Sequence, residues 1–98
     1  METIATDTNE TKAYEFRGMT IPVHMVEALE RYIQKRIKPG SFLTAVLSND
    51  LFGACGRADS DNAQILPAYA AYLYNEAPAA CWGSVEKVQN WLCPENKE

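Results

Sequence analysis

The sequence is short of the residues from which most small catalytic and metal sites are built. A single histidine, His24, stands among 98 residues, and the three cysteines, Cys55, Cys81 and Cys93, are widely spaced with no CxxC pair. A zinc site, a Ser/His or Cys/His nucleophile system and a disulfide framework each need more than this. The cysteines therefore read as three thiols in a reducing compartment. No GxGxxG or GxxxxGK loop is present, since GACG at 53–56 holds two glycines at a helix end. Asp50, Asp59, Asp61 and Glu76 do not stand at a spacing diagnostic of an acid/base pair. The expectation is a protein that is not an enzyme, with no catalytic residues, no metal and no cofactor.

The chain also lacks a basic excess and a long hydrophobic run. Nine Lys and Arg against thirteen Asp and Glu give a net charge of −4, which argues against broad, sequence-independent nucleic-acid binding. Apolar stretches such as AYAAYLY fall well below the roughly 18 to 20 residues that cross a bilayer, and the first residues have no signal-peptide pattern. No membrane association and a cytoplasmic location follow as expectations. With 47% hydrophobic and 22% charged residues, the composition is that of one ordinary globular domain.

The pattern along the chain predicts an all-α fold, a compact bundle of about four short helices. Residues 1–12 are rich in Thr and acidic residues and read as a flexible arm; 13–93 form the domain and 94–98 a tail. Tyr14 to Met19 could be a short extended piece, but no partner strand is evident. Thr20 and Pro22 begin a first helix running to about Ile37, with Val23, Val26, Leu29, Ile33 and Ile37 as its stripe. Ser41 caps a second helix over Phe42 to Cys55, stopped by Gly56 and apolar nearly all round, which makes it the central element. Asp59 and Ser60 cap a third helix to about Glu76, kinked or split at Leu66 by Pro67. Ser84 caps the last helix, with Val85, Val88, Trp91 and Leu92 on one face.

Three groups of residues are candidates for binding. Asn49 and Asp50 lie on the most apolar helix, and Arg57 returns to nearly the same azimuth about 10.5 Å further along. An acid there must be paired internally or form a site, so an internal Asp50–Arg57 ion pair is expected, with a ligand or partner site as the alternative. Arg31, Tyr32, Lys35 and Arg36 form a basic face that either satisfies the helix dipole or meets an acidic or phosphorylated partner. Tyr69, Tyr72 and Tyr74 bring large amphipathic surfaces; the first two share a face, Tyr74 points elsewhere, and outward tyrosines suit an interface.

The blocks PGSFLTAVLSNDL (39–51), GRADSDN (56–62) and LYNEAPAACWGSVEKVQNW (73–91) resemble a family of small phage- and prophage-encoded proteins. The resemblance covers residues 19 to 92 and carries over no catalytic residues. It implies a bacterial cytoplasm during infection, where chains of this size act by binding host components. The expected function is thus a non-enzymatic phage protein that binds and inhibits a host protein, for instance in an antiviral defence system such as CRISPR interference. The alternatives are a binder of a small anionic, nucleotide-like signal and an accessory of phage replication or assembly. The surplus aromatics also make a homodimer a reasonable expectation.

Overall fold

A computed structural model describes residues 11–93; the predicted arm, apart from Thr11 and Lys12, and the predicted tail lie outside these residues. The described chain is mostly helical. It opens with a β-hairpin of β1 (Tyr14–Phe16) and β2 (Met19–Ile21), followed by α1 (Val23–Lys35), α2 (Ser41–Leu47), α3 (Leu51–Arg57), α4 (Ser60–Ala63), α5 (Leu66–Glu76) and α6 (Val85–Leu92). One 3-10 turn, Ala79–Cys81, sits between α5 and α6.

The hairpin corrects the all-α expectation. Tyr14 pairs with Ile21, Glu15 with Thr20 and Phe16 with Met19. Arg17 and Gly18 turn the chain at φ 52° and 82°, the two positive angles that a two-residue turn matched to strand twist requires. Thr20 therefore serves as a strand residue, and Pro22 occupies the N-cap position of α1. Ile21 is completely buried, and Tyr14 packs edge-on against Tyr72 of α5, with ring centroids 5.2 Å apart. The two strands thus close one side of the helical core.

The buried stripe of α1 is Val26, Leu29 and Tyr32, with Ile33 partly buried against the core, while the expected members Val23 and Ile37 are exposed. The helix ends before Ile37 because Arg36 adopts φ 58°, and the Ile37 N–H reaches back to the Arg31 carbonyl. Arg36 then clamps the C-terminal helix. Its guanidinium stacks 3.9 Å from the centre of the Trp91 ring and donates to the Trp91 carbonyl at 2.9 Å. The Trp91 indole N–H in turn donates at 3.0 Å to the Tyr32 carbonyl, which also accepts the Arg36 N–H at 3.1 Å, so the last turn of α1 is tied directly to α6.

The predicted 42–55 helix is two helices. Asn49 takes φ 64°, its N–H bonds to the Val46 carbonyl at 3.1 Å, and the Asp50 N–H bonds to the Ala45 carbonyl at 2.9 Å. These two bonds terminate α2 in a left-handed residue, a position that asparagine tolerates better than most residues. The remainder of the reading fares better. Asp59 accepts from the Asn62 N–H and Ser84 from the Lys87 N–H, capping α4 and α6. Pro67 stands in the first turn of α5, with the chain turning at Gln64–Ile65.

Tyr32, Tyr69, Leu29, Leu47, Ile21 and Cys81 are the largest fully buried side chains. Phe42 packs edge-on against Tyr69 at 5.3 Å, an arrangement the aromatic quadrupole favours. The Tyr32 hydroxyl donates to the Cys81 carbonyl at 2.8 Å and the Tyr69 hydroxyl to Asn62 Oδ1 at 2.7 Å, so these two phenols keep a partner. Burial pushes the ionisation of both phenols above its ordinary range and raises that of the Cys81 thiol as well.

Candidate functional site

The break after α2 decides the fate of Asp50. Instead of facing the core with an internal counter-ion, Asp50 is exposed and occupies the N-cap of α3, its Oδ1 accepting from the Gly53 N–H at 2.9 Å. The expected buried pair is therefore not formed. A carboxylate at this position satisfies a free helix N–H and meets the positive end of the helix dipole, so it needs no buried cation.

Arg57 nevertheless folds back toward Asp50. Its Nη1 donates to the Gly53 carbonyl at 3.3 Å, and a methyl group added at Gly53 would collide with the Asp50 carboxylate and stand 2.9 Å from Arg57 Nη1. Carboxylate and guanidinium thus share the space over a glycine in the middle of α3. Glycine normally costs a helix about 1 kcal/mol relative to alanine, and here its missing Cβ makes room for both side chains.

Two concavities meet at this corner. The first is an apolar cleft of about 170 Å³ between α3 and α5, walled by Val46, Leu51, Ala54, Leu66, Leu73 and Trp82, with Asn49 and Asp50 at its polar end. Leu51 is 62% exposed and the adjacent Phe52 87% exposed. Ala70 also lines the cleft, and Tyr74, one turn further along α5 on the same face, is 78% exposed. The Trp82 indole N–H is buried without a hydrogen-bond partner among the described residues.

The second is a polar groove of about 510 Å³ where the α1–α2 connection, α2, α3 and the start of α6 come together. Ser41, Thr44 and Ser48 line it from α2, Lys38 and Arg57 bring positive charge, and Asp50 forms part of its wall. Among the described residues, no group of three or more His, Cys, Asp or Glu side chains is arranged to hold a metal ion. No helix among them is long and apolar enough to cross a membrane.

The other candidates from the sequence scatter. Tyr32, Tyr69 and Tyr72 lie in the core, which removes them from any contact surface; only Tyr74 is presented outward. The Tyr72 phenol is pushed up to about 12, by burial first and then by the Glu30 and Glu76 carboxylates. Arg31 and Lys35 line a shallow depression together with Glu27 and Glu30, so that stretch of α1 has no single sign of charge. Arg36 is committed to Trp91. Asp50 and Arg57 both lie over Gly53 at the protein surface, while Asn49 lines the apolar cleft and not the groove that Arg57 lines.

Sequence reasoning missed Leu51 and Phe52 as surface residues and Lys38, Ser41 and Ser48 as lining of the groove. The signal for the second set was present: Ser41, Thr44 and Ser48 recur at three and four residues on a helix otherwise apolar, which marks one open side. No protein-family model, curated protein or solved structure matches this chain.

Proposed function

We propose that this chain is a non-enzymatic, phage-encoded protein that works in the bacterial cytoplasm by binding a host protein and blocking it, with a component of an antiviral defence system such as CRISPR interference as the target. The observation that carries the binding role is the exposed start of α3: Leu51, 62% exposed, walls an apolar cleft large enough for one bulky side chain, and its neighbour in sequence, Phe52, is 87% exposed. A large aromatic held in water on a short, glycine-containing helix adds nothing to the fold. Aromatic anchors next to a preformed depression are the usual energetic centre of a protein interface. The resemblance of residues 39–51, 56–62 and 73–91 to small phage-encoded proteins supports the host setting.

The test is affinity capture from phage-infected cells with the full chain as bait, comparing wild type with Phe52→Asp and Leu51→Asp. Both side chains are exposed, so circular dichroism of the variants should match wild type. One host polypeptide should be retained by wild type and lost with either variant. Equal recovery on wild type and variants, or recovery of the chain in purified virions instead, would overturn the proposal.

A further inference from the structure

The polar groove carries an inference independent of the apolar cleft. We infer that it binds a phosphorylated small molecule of nucleotide size, held by Arg57, Lys38 and the hydroxyls of Ser41 and Ser48.

Arg57 is positioned, not free. Its Nη1 is tethered to the Gly53 carbonyl at 3.3 Å over a glycine that leaves room for it. A guanidinium carries five N–H donors in a fixed plane, so one long hydrogen bond leaves the fork available for a phosphate or carboxylate. Lys38 lines the same groove and donates no hydrogen bond within the described residues, which leaves its ammonium as a second grip.

The charges that face the groove are Lys38, Arg57 and Asp50. The carboxylate is already engaged at the helix N-terminus, where Oδ1 takes the Gly53 N–H. Two cations against one committed anion leave the groove net positive on a chain whose net charge is −4. That local inversion of sign favours an anion.

The neutral groups narrow the ligand. The Thr44 hydroxyl gives its proton to the Gly40 carbonyl at 2.9 Å and serves as wall. Ser41 and Ser48 donate to nothing among the described residues, and seven residues place them on one face of α2 about 10.5 Å apart. A lone phosphate cannot span that distance, whereas a phosphate ester with a polar body can. The volume of about 510 Å³ lies within the roughly 300–1,000 Å³ of small-molecule sites. Val85, 58% exposed at the groove edge, supplies an apolar wall for a ring.

The experiment is calorimetric titration of the full chain at low salt with 5′-AMP, inorganic phosphate and adenosine, on wild type, Arg57→Lys, Lys38→Gln and Lys12→Gln. Arg57, Lys38 and Lys12 are exposed, and thermal melting checks that each variant folds. 5′-AMP should saturate at one molecule per chain, bind more weakly as salt rises, and lose about tenfold in affinity with Arg57→Lys and with Lys38→Gln; Lys12→Gln should match wild type. Inorganic phosphate should bind more weakly than 5′-AMP, and adenosine should not bind. Three results would overturn the inference: no saturable binding of 5′-AMP or phosphate up to about 10 mM, equal binding of adenosine and 5′-AMP, or unchanged affinity in both Arg57→Lys and Lys38→Gln.

Discussion

Two glycines three residues apart in α3 respond in opposite ways to the same substitution. At Gly56 an added methyl meets nothing within 4 Å, so Gly56→Ala should gain the full helix-propensity difference, about 0.5–1 kcal/mol. At Gly53 the same methyl meets the Asp50 carboxylate and stands 2.9 Å from Arg57 Nη1. The carboxylate must leave, and the N-cap bond to the Gly53 N–H goes with it, a loss of about 1 kcal/mol. Gly53→Ala should therefore be neutral or destabilising by up to about 1 kcal/mol, the cap loss and the displacement of Arg57 offsetting the helix gain. Urea denaturation of both variants measures the difference, and the thermal midpoint should follow at roughly 4–8 °C per kcal/mol for a domain of this size. The sign can be inverted deliberately. In an Asp50→Ala background only the flexible end of Arg57 has to give way, and Gly53→Ala should now stabilise by about 0.5–1 kcal/mol. If Gly53→Ala and Gly56→Ala stabilise the wild-type chain equally, the carboxylate does not lie over Gly53, and the positioning of Arg57 in the polar groove falls with it.

Two further outcomes are expected. Arg36→Ala should destabilise by about 1–2 kcal/mol in urea denaturation, since it removes both the stacking on Trp91 and the bond to the Trp91 carbonyl; a change below about 0.3 kcal/mol would mean that the clamp contributes nothing. Alkali should unfold the chain through its buried phenols. The hydroxyls of Tyr32, Tyr69 and Tyr72 are raised above the ordinary value of 10.0, Tyr72 to about 12, so both states keep their protons below pH 10, while above it the unfolded chain releases them first. The buried Cys81 thiol, raised above its ordinary 9.0, begins the loss of stability above about pH 9; the phenols add to it as pH climbs from 10 through about 12, with circular dichroism and tyrosinate absorbance changing together for these phenols. Complete ionisation of all five tyrosines while the helical signal persists would refute this.

The helical character, the caps at Asp59 and Ser84, and the split near Pro67 were legible because each rests on local chemistry: a side-chain oxygen facing free N–H groups, or a ring that cannot continue a helix. The hairpin was not, because its turn is Arg17-Gly18 and lacks the Asn-Gly or Asp-Gly pair that signals such turns, and because Thr20 just before Pro22 reads equally well as a cap. The division of α2 from α3 was hidden by an uninterrupted run of helix-compatible residues. Only Asn49 gave a hint, and left-handed asparagine is a possibility that local sequence permits without requiring. Without the break, Asp50 falls on the apolar side of a central helix and Phe52 on a helix apolar nearly all round. Both errors come from extending one helical azimuth through a corner where the chain changes direction. Asp50 and Arg57 meet over Gly53 because they are close in sequence, whereas bringing Lys38 to Arg57 needs the tertiary fold.

The connection after α5 gives the domain an internal seam. The Gly83 N–H donates at 2.8 Å to the Leu47 carbonyl at the end of α2, and Gly83 reaches it at φ 120°, a conformation that side chains forbid. Together with the Tyr32 hydroxyl on the Cys81 carbonyl, this ties the C-terminal helix to the corner that presents Phe52 and Arg57. Force or strain applied at that corner by a bound molecule would be transmitted to α6, and the Gly83 amide should be the loop proton slowest to exchange with deuterated solvent, reporting from a distance when the corner is loaded.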